Sequence, residues 1–81
     1  MSTECSAEFF VEPFEIGRPG THVEAAFDAV RRLGLTLEIG PFGSTIRGEP
    51  HLVMQAVKDL LDAATRAGAT RVSVQVEVCG G

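Results

Sequence analysis

Around the midpoint of the chain, residues 40–49 read Gly-Pro-Phe-Gly-Ser-Thr-Ile-Arg-Gly-Glu. Two small hydroxyls, Ser44 and Thr45, stand next to an aromatic ring, Phe42. A hydroxyl both donates and accepts hydrogen bonds, and an aromatic face gives a flat apolar wall. At the mouth of a hairpin such a set can bind a small polar molecule. The plainer account is that Phe42 plugs the core and that Ser44 and Thr45 are ordinary strand residues, since most turn residues serve only the turn. No other group of residues forms a reactive set. The histidines, His22 and His51, stand far apart in sequence. The cysteines, Cys5 and Cys79, lie near opposite ends and make no metal motif.

The elements that must carry this segment follow from periodicity. Gly-Pro-Phe-Gly reads as a tight hairpin connection, because glycine tolerates positive φ and proline pre-sets φ. The strand before it is Leu35–Ile39, with Leu35, Leu37 and Ile39 alternating against Thr36 and Glu38. The strand after it is Ser44–Arg47, with Ile46 inward. Cys5–Phe14 reads as an earlier strand. There Ala7, Phe9 and Val11 alternate with Glu8, Phe10 and Glu12. Thr21 is expected as a helix N-cap, with Glu24 completing a capping box. Val23, Ala26, Phe27 and Val30 then recur at helical spacing, and Gly34 closes the helix. A second helix is expected from Pro50 to Ala67, with Val53, Ala56, Val57, Leu60 and Ala64 on its apolar stripe. Arg71–Cys79 is the clearest strand: Val72, Val74, Val76 and Val78 face one way, and Ser73, Gln75 and Glu77 the other.

The order strand, helix, strand, strand, helix, strand is the split βαβ, ferredoxin-like α+β arrangement. It predicts a four-stranded antiparallel sheet with two helices on one face, in one domain spanning residues 1–81. The uncovered face should carry Glu8, Phe10, Glu12, Glu38, Thr45, Arg47, Ser73, Gln75 and Glu77. Either water or a second copy of the chain must cover it, and Phe10 favours the second copy. Phe10, Arg47 and Gln75 are therefore the expected oligomer contacts. One rim should gather Phe14, Ile16, Thr21, His22, Phe42, Ser44 and Thr45.

The formal net charge of −4 argues against a nucleic-acid partner, whose phosphates demand a basic surface. It mildly favours a cationic ligand. No apolar run is long enough to span a bilayer, and no charged leader precedes an apolar stretch, so the expectation is a soluble, cytoplasmic protein without a membrane partner. This fold hosts many functions, and residues remove several of them. The loop after the first strand lacks the Cys-x-x-Cys of a metallochaperone. The chain has no Asn to position water as an acylphosphatase does, and its strands lack the aromatic and basic residues of an RNA-recognition module.

Phe9-Phe10-Val11-Glu12-Pro13-Phe14 resembles the first-strand motif of the small thiamine-binding, hydroxymethylpyrimidine/thiamine-binding-like proteins. Gly43-Ser44-Thr45-Ile46-Arg47-Gly48-Glu49 is similar to that family's second signature. Leu33-Gly34-Leu35 and Ala67-Gly68-Ala69-Thr70-Arg71-Val72 are similar too. The resemblance runs from Ala7 to Val78. Glu12 stands where many relatives have Tyr, and Phe10 where some have Ser. The resemblance implies a non-enzymatic protein that binds thiamine or its hydroxymethylpyrimidine precursor and assembles through its sheets into dimers or tetramers. It implies no catalytic residue, metal or cofactor beyond that ligand.

Such a ligand fits the residue types. A flat aminopyrimidine wants aromatic walls, here Phe14 and Phe42. A thiazolium cation wants a carboxylate or an aromatic face, here Glu12 or Glu38 and the same phenylalanines. Ring nitrogens and an exocyclic amine want short hydroxyls, here Ser44 and Thr45. The alternative is a structural or regulatory oligomerisation module that binds another small ligand or none. Strand parity puts Cys5 and Cys79 on opposite faces of the sheet, which predicts two free thiols.

Overall fold

A computed structural model of the chain describes residues 4–13, 20–40 and 43–79, Cys79 by its backbone alone. The elements are β1 (Glu4–Glu12), α1 (Thr21–Arg31), β2 (Thr36–Gly40), β3 (Gly43–Gly48), α2 (Pro50–Arg66) and β4 (Arg71–Cys79). The strands lie in the order β2-β3-β1-β4, and each neighbouring pair is antiparallel. This is the ferredoxin-like α+β fold that the element order predicts.

Alternation decides which face the helices cover. Along β1, Cys5, Ala7, Phe9 and Val11 are buried, while the residues between them are half-buried or exposed. On β3, Ser44 and Ile46 share the buried side. The helices bury Val23, Ala26, Phe27 and Val30 from α1 and Val53, Ala56, Leu60 and Ala64 from α2 against them. Full burial of a Leu or Phe side chain contributes about 1.5–3 kcal/mol, so Phe9 and Leu60 are principal anchors of this core. Cross-strand pairing places Ala7 between Ile46 and Val76, and Phe9 between Ser44 and Val74. Val76 and Val78 share this face but remain 40% and 65% exposed, because β4 is an edge strand.

The helix ends depart from expectation in one place that matters for the site. Thr21 is not the N-cap of α1. Gly20 holds that position without a side-chain cap, and its carbonyl accepts hydrogen bonds from the Val23 and Glu24 amides at 3.0 and 3.2 Å. The helix thus starts one residue early, and the Glu24 carboxylate makes no capping box. A Cβ on residue 20 would come 2.5 Å from the His22 ring, so a side chain there would have to displace that ring. His22 Nε2 donates to the Pro13 carbonyl, joining the end of β1 to the start of α1. At α2, Glu49 caps the helix by accepting from the Leu52 amide at 3.3 Å, and Pro50 opens the first turn. Gly34 and Gly68 take φ of +75° and +106° just beyond the two helix ends, where a side chain would be strained.

β1 stops at Glu12, one residue before Pro13 and two before the expected Phe14. Thr70 donates its amide to the Glu12 carbonyl at 2.9 Å, and Arg71 Nε lies 3.5 Å from a Glu12 carboxylate oxygen. Together they fasten the start of β4 to the end of β1. Among the described residues, no helix is long and apolar enough to cross a membrane.

Candidate functional site

The end of β1, the start of α1 and the β2–β3 hairpin converge on a cavity of about 210 Å³. Phe9 and Phe27 supply its aromatic walls. Their rings meet edge to face, with centroids 6.2 Å apart and planes at 67°. Val11 and Val23 line it from β1 and α1, and Ile39, 58% exposed, stands at its β2 side. Gly40 and Gly43 are paired across the hairpin, and a Cβ on Gly40 would come 3.0 Å from the Gly43 carbonyl oxygen. A Cβ on Gly43 would meet the Glu8 side chain on the open face, so the pair borders the cavity with backbone alone.

The polar groups at the cavity are few and differ in kind. Ser44 is 5% exposed and lines the cavity wall. A hydroxyl at such a wall can both donate a hydrogen bond to a ligand and accept one from it. Glu24, exposed and without a capping role, borders the same cavity. Arg31 completes the lining. Its guanidinium carbon sits 5.8 Å from the Phe27 ring centroid, and Nη1 lies 3.6 Å from an Asp28 carboxylate oxygen. Glu24, Phe27 and Arg31 recur at three and four residues and so form one stripe along α1. This stripe gives an aromatic floor with an anion at one end and a cation about 10 Å along, at ~1.5 Å rise per residue.

The residues expected at a ligand site are divided by the sheet. Ser44 lies on the helix-covered face and in the cavity. Thr45, the next residue, lies on the opposite face, paired with Glu8 on one side and Glu38 on the other. Glu38 is therefore across the sheet from the cavity. Glu12 is on that open face too, engaged with Arg71. Phe14 and Phe42 lie outside the described residues. A single site cannot take Ser44, Thr45, Glu12 and Glu38 from one side, because side chains of consecutive strand residues point to opposite faces. Glu24, Phe27, Arg31 and Ile39 were not anticipated as site residues. The helical repeat contained the signal for the first three, but charged residues beside an apolar stripe usually mark its solvated edge.

Arg47 and Gln75 lie on the open face, in a shallow polar depression shared with Ser6, Glu8, Thr45 and Glu77. Phe10 is half-buried at the border between that face and the cavity. The depression is broader than the cavity but has no aromatic wall, so it lacks the surface on which a flat ring would stack. Among the described residues, no group of three His, Cys, Asp or Glu side chains could hold a metal ion. His22 and His51 start different helices at opposite ends of the sheet, so they form no pair.

The structure is a ferredoxin-like sheet with an aromatic-lined cavity under its first helix. The chain belongs to the thiamine-binding protein family, whose model matches residues 7–79. Among solved structures it is similar to a domain of unknown function, DUF77, from Bacillus cereus. That likeness has a TM-score of 0.69 and 25% identity, and covers 93% of this chain and 73% of that one. It is also similar in fold to a Thermotoga maritima protein proposed to act in thiamine biosynthesis or salvage, with a TM-score of 0.68 and 24% identity, covering 96% and 84%. A hypothetical protein of Methanocaldococcus jannaschii shares the fold at a TM-score of 0.68 and 18% identity, covering 93% and 77%. No curated protein sequence matches the chain.

Proposed function

We propose that this protein binds thiamine or its hydroxymethylpyrimidine precursor without chemically changing it, and that the aminopyrimidine ring sits in the cavity beneath α1. The observation that carries this reading is the cavity lining: Ser44, 5% exposed, stands beside Phe9, Phe27, Val11 and Val23, so a hydroxyl borders an aromatic and aliphatic wall. The ring would stack against Phe9 and Phe27. Ser44 would meet a ring nitrogen, and Glu24 would accept from the exocyclic amine. Family membership supports the ligand class.

Size and charge fix the orientation. Drug-sized pockets run to about 300–1,000 Å³, and this one is smaller. One heterocycle with short substituents fills it, so the thiazolium half of thiamine would extend past the mouth. Phe14 and Phe42 are proposed as further ligand contacts and lie outside the described residues. Glu12, Glu38 and Thr45 are on the far face and would act on the ligand only through the protein's field.

Isothermal titration with hydroxymethylpyrimidine and thiamine tests the reading. One site per chain is expected for each. Ser44→Ala should weaken binding by about 0.5–1.5 kcal/mol, the worth of one hydrogen bond, while Thr45→Val leaves it unchanged. Absence of binding at millimolar ligand would remove the reading. So would loss in Thr45→Val with none in Ser44→Ala. The second reading, a self-associating module, uses Phe10, Arg47 and Gln75 on the open face. It is favoured if both ligands fail while the chain still sediments as a dimer or larger.

A further inference from the structure

We infer that Arg31 sets the charge preference of the cavity. A pyrimidine whose side arm is an anionic phosphomonoester binds in preference to one with a neutral arm, and the neutral arm in preference to a cationic one. This rests on the ligand reading above and narrows it, from a pyrimidine with any arm to a pyrimidine phosphate.

Arg31 lines the cavity and yet its side chain is 53% exposed, so the guanidinium stands at the mouth, between wall and water. Its carbon lies 5.8 Å from the centre of the Phe27 ring. Phe27 is also the ring against which the ligand would stack. A heterocycle on Phe27 therefore has a fixed positive charge beside it. The cavity, about 210 Å³, holds one heterocycle, and any longer arm on that ring emerges at the mouth. In hydroxymethylpyrimidine the arm is carried by the ring carbon next to the one bearing the amine. With the amine at Glu24, the arm runs along the α1 stripe toward Arg31.

The guanidinium can take a new partner there. Its ion pair with Asp28 spans 3.6 Å, beyond the ~2.7–2.9 Å of a charge-assisted hydrogen bond. Asp28 is itself 58% exposed, and water weakens such a pair. A guanidinium presents a planar fork of donors that matches two oxygens of one phosphate. A thiazolium in the same place would meet a like charge.

Nearby charges outweigh the net charge. The chain carries −4 overall, which draws cations at long range. Exposed charges more than about 8 Å apart are largely screened at physiological ionic strength. Glu8 and Glu38 flank Thr45 on the far face of the sheet, and Glu12 is engaged with Arg71 on that face. The carboxylate at the cavity is Glu24, at the other end of the stripe from Arg31. The arm of the ligand thus meets Arg31 before it meets the rest of the field.

Isothermal titration with three ligands that share one ring tests the inference: hydroxymethylpyrimidine, its monophosphate and thiamine. In the wild-type chain the monophosphate should bind at least about fivefold tighter than the neutral alcohol, and thiamine at least about threefold weaker. Arg31→Gln should bring monophosphate and alcohol to within about twofold of each other, and Arg31→Glu should reverse the order. Arg32→Glu makes the same change in net charge one residue away, on the side of α1 that faces Asp59 and Asp62 of α2. It should keep the wild-type order. Comparing ligand ratios between Arg31→Glu and Arg32→Glu cancels the larger size of thiamine. Both arginines are exposed, so circular dichroism should match wild type in every variant. If Arg31→Glu does not fold, Arg31→Gln decides. A wild type that binds alcohol and monophosphate equally overturns this inference and leaves the ligand reading standing. So does a wild-type order in either Arg31 variant, or a reversal in Arg32→Glu as strong as in Arg31→Glu. No binding of any of the three removes both readings.

Discussion

Ser44 and Thr45 are neighbours in sequence with similar chemistry, yet the sheet lies between their side chains. Only Ser44 is in position to touch a ligand under α1. Glu24 is the other polar residue whose use depends on a local detail. Because Gly20 accepts the first amides of α1, Glu24 has no capping duty and stands at the cavity wall. Glu24→Gln keeps the shape but turns a charge-assisted hydrogen bond into a neutral one. Titration should show affinity for hydroxymethylpyrimidine falling by about 1 kcal/mol with little change in melting temperature. A large fall in melting temperature with unchanged affinity would instead assign Glu24 to the helix. Phe27→Leu removes the ring that Phe9 meets edge to face. It should weaken both fold and ligand binding, with the aromatic pair alone worth about 0.5–1.5 kcal/mol of stability.

At the scale of elements, two glycines hold the strands and helices in the relation the cavity needs. Gly48 ends β3 against the side chain of Leu35, and a Cβ there would come 2.6 Å from Leu35 Cδ2. Gly48→Ala must push Leu35 aside, and overpacking of this kind costs about 1–3 kcal/mol in chemical denaturation. Gly34 has open space around it but φ of +75°. Gly34→Ala therefore meets backbone strain without any clash and should cost roughly 1 kcal/mol. Equal losses for the two would mean that the contact with Leu35 is easily relieved. The helices depend on packing rather than on glycine. Leu60 is fully buried in the middle of α2, and Leu60→Ala should cost about 2–5 kcal/mol by equilibrium unfolding.

At the scale of the molecule, the antiparallel pairing of β1 with β4 brings the two ends of the chain to one end of the sheet. Cys5 opposes Val78 there, and Glu4 opposes Cys79. Cys5 is a free thiol, fully buried. A thiol reagent should reach it only when the protein opens, so its labelling rate should rise with denaturant in step with unfolding. Rapid labelling of Cys5 in the native state would show that this end of the core is loose. Ligand binding should slow the labelling, since stabilisation grows as RT ln(1 + [L]/Kd) for a ligand that binds only the folded chain.

The strict alternation of Arg71–Cys79 and the helical repeats of Val23–Val30 and Val53–Ala64 determined the element order. That order, with its two crossovers, determined the fold. Local pattern suffices because period 2 and period 3.6 are imposed by the backbone itself, whatever the rest of the chain does. The motifs around Phe9–Phe14 and Gly43–Glu49 likewise pointed to the family. Tertiary structure decided which residues share a site. Parity already separates Ser44 from Thr45, but proximity along the chain conceals it. Glu24 and Arg31 look like solvated helix residues until the hairpin closes beside them. Whether a charged side chain at the edge of a stripe faces water or a cavity depends on what packs next to that edge. Here that neighbour is Ile39 and the glycine pair of a hairpin, brought to α1 only by the sheet.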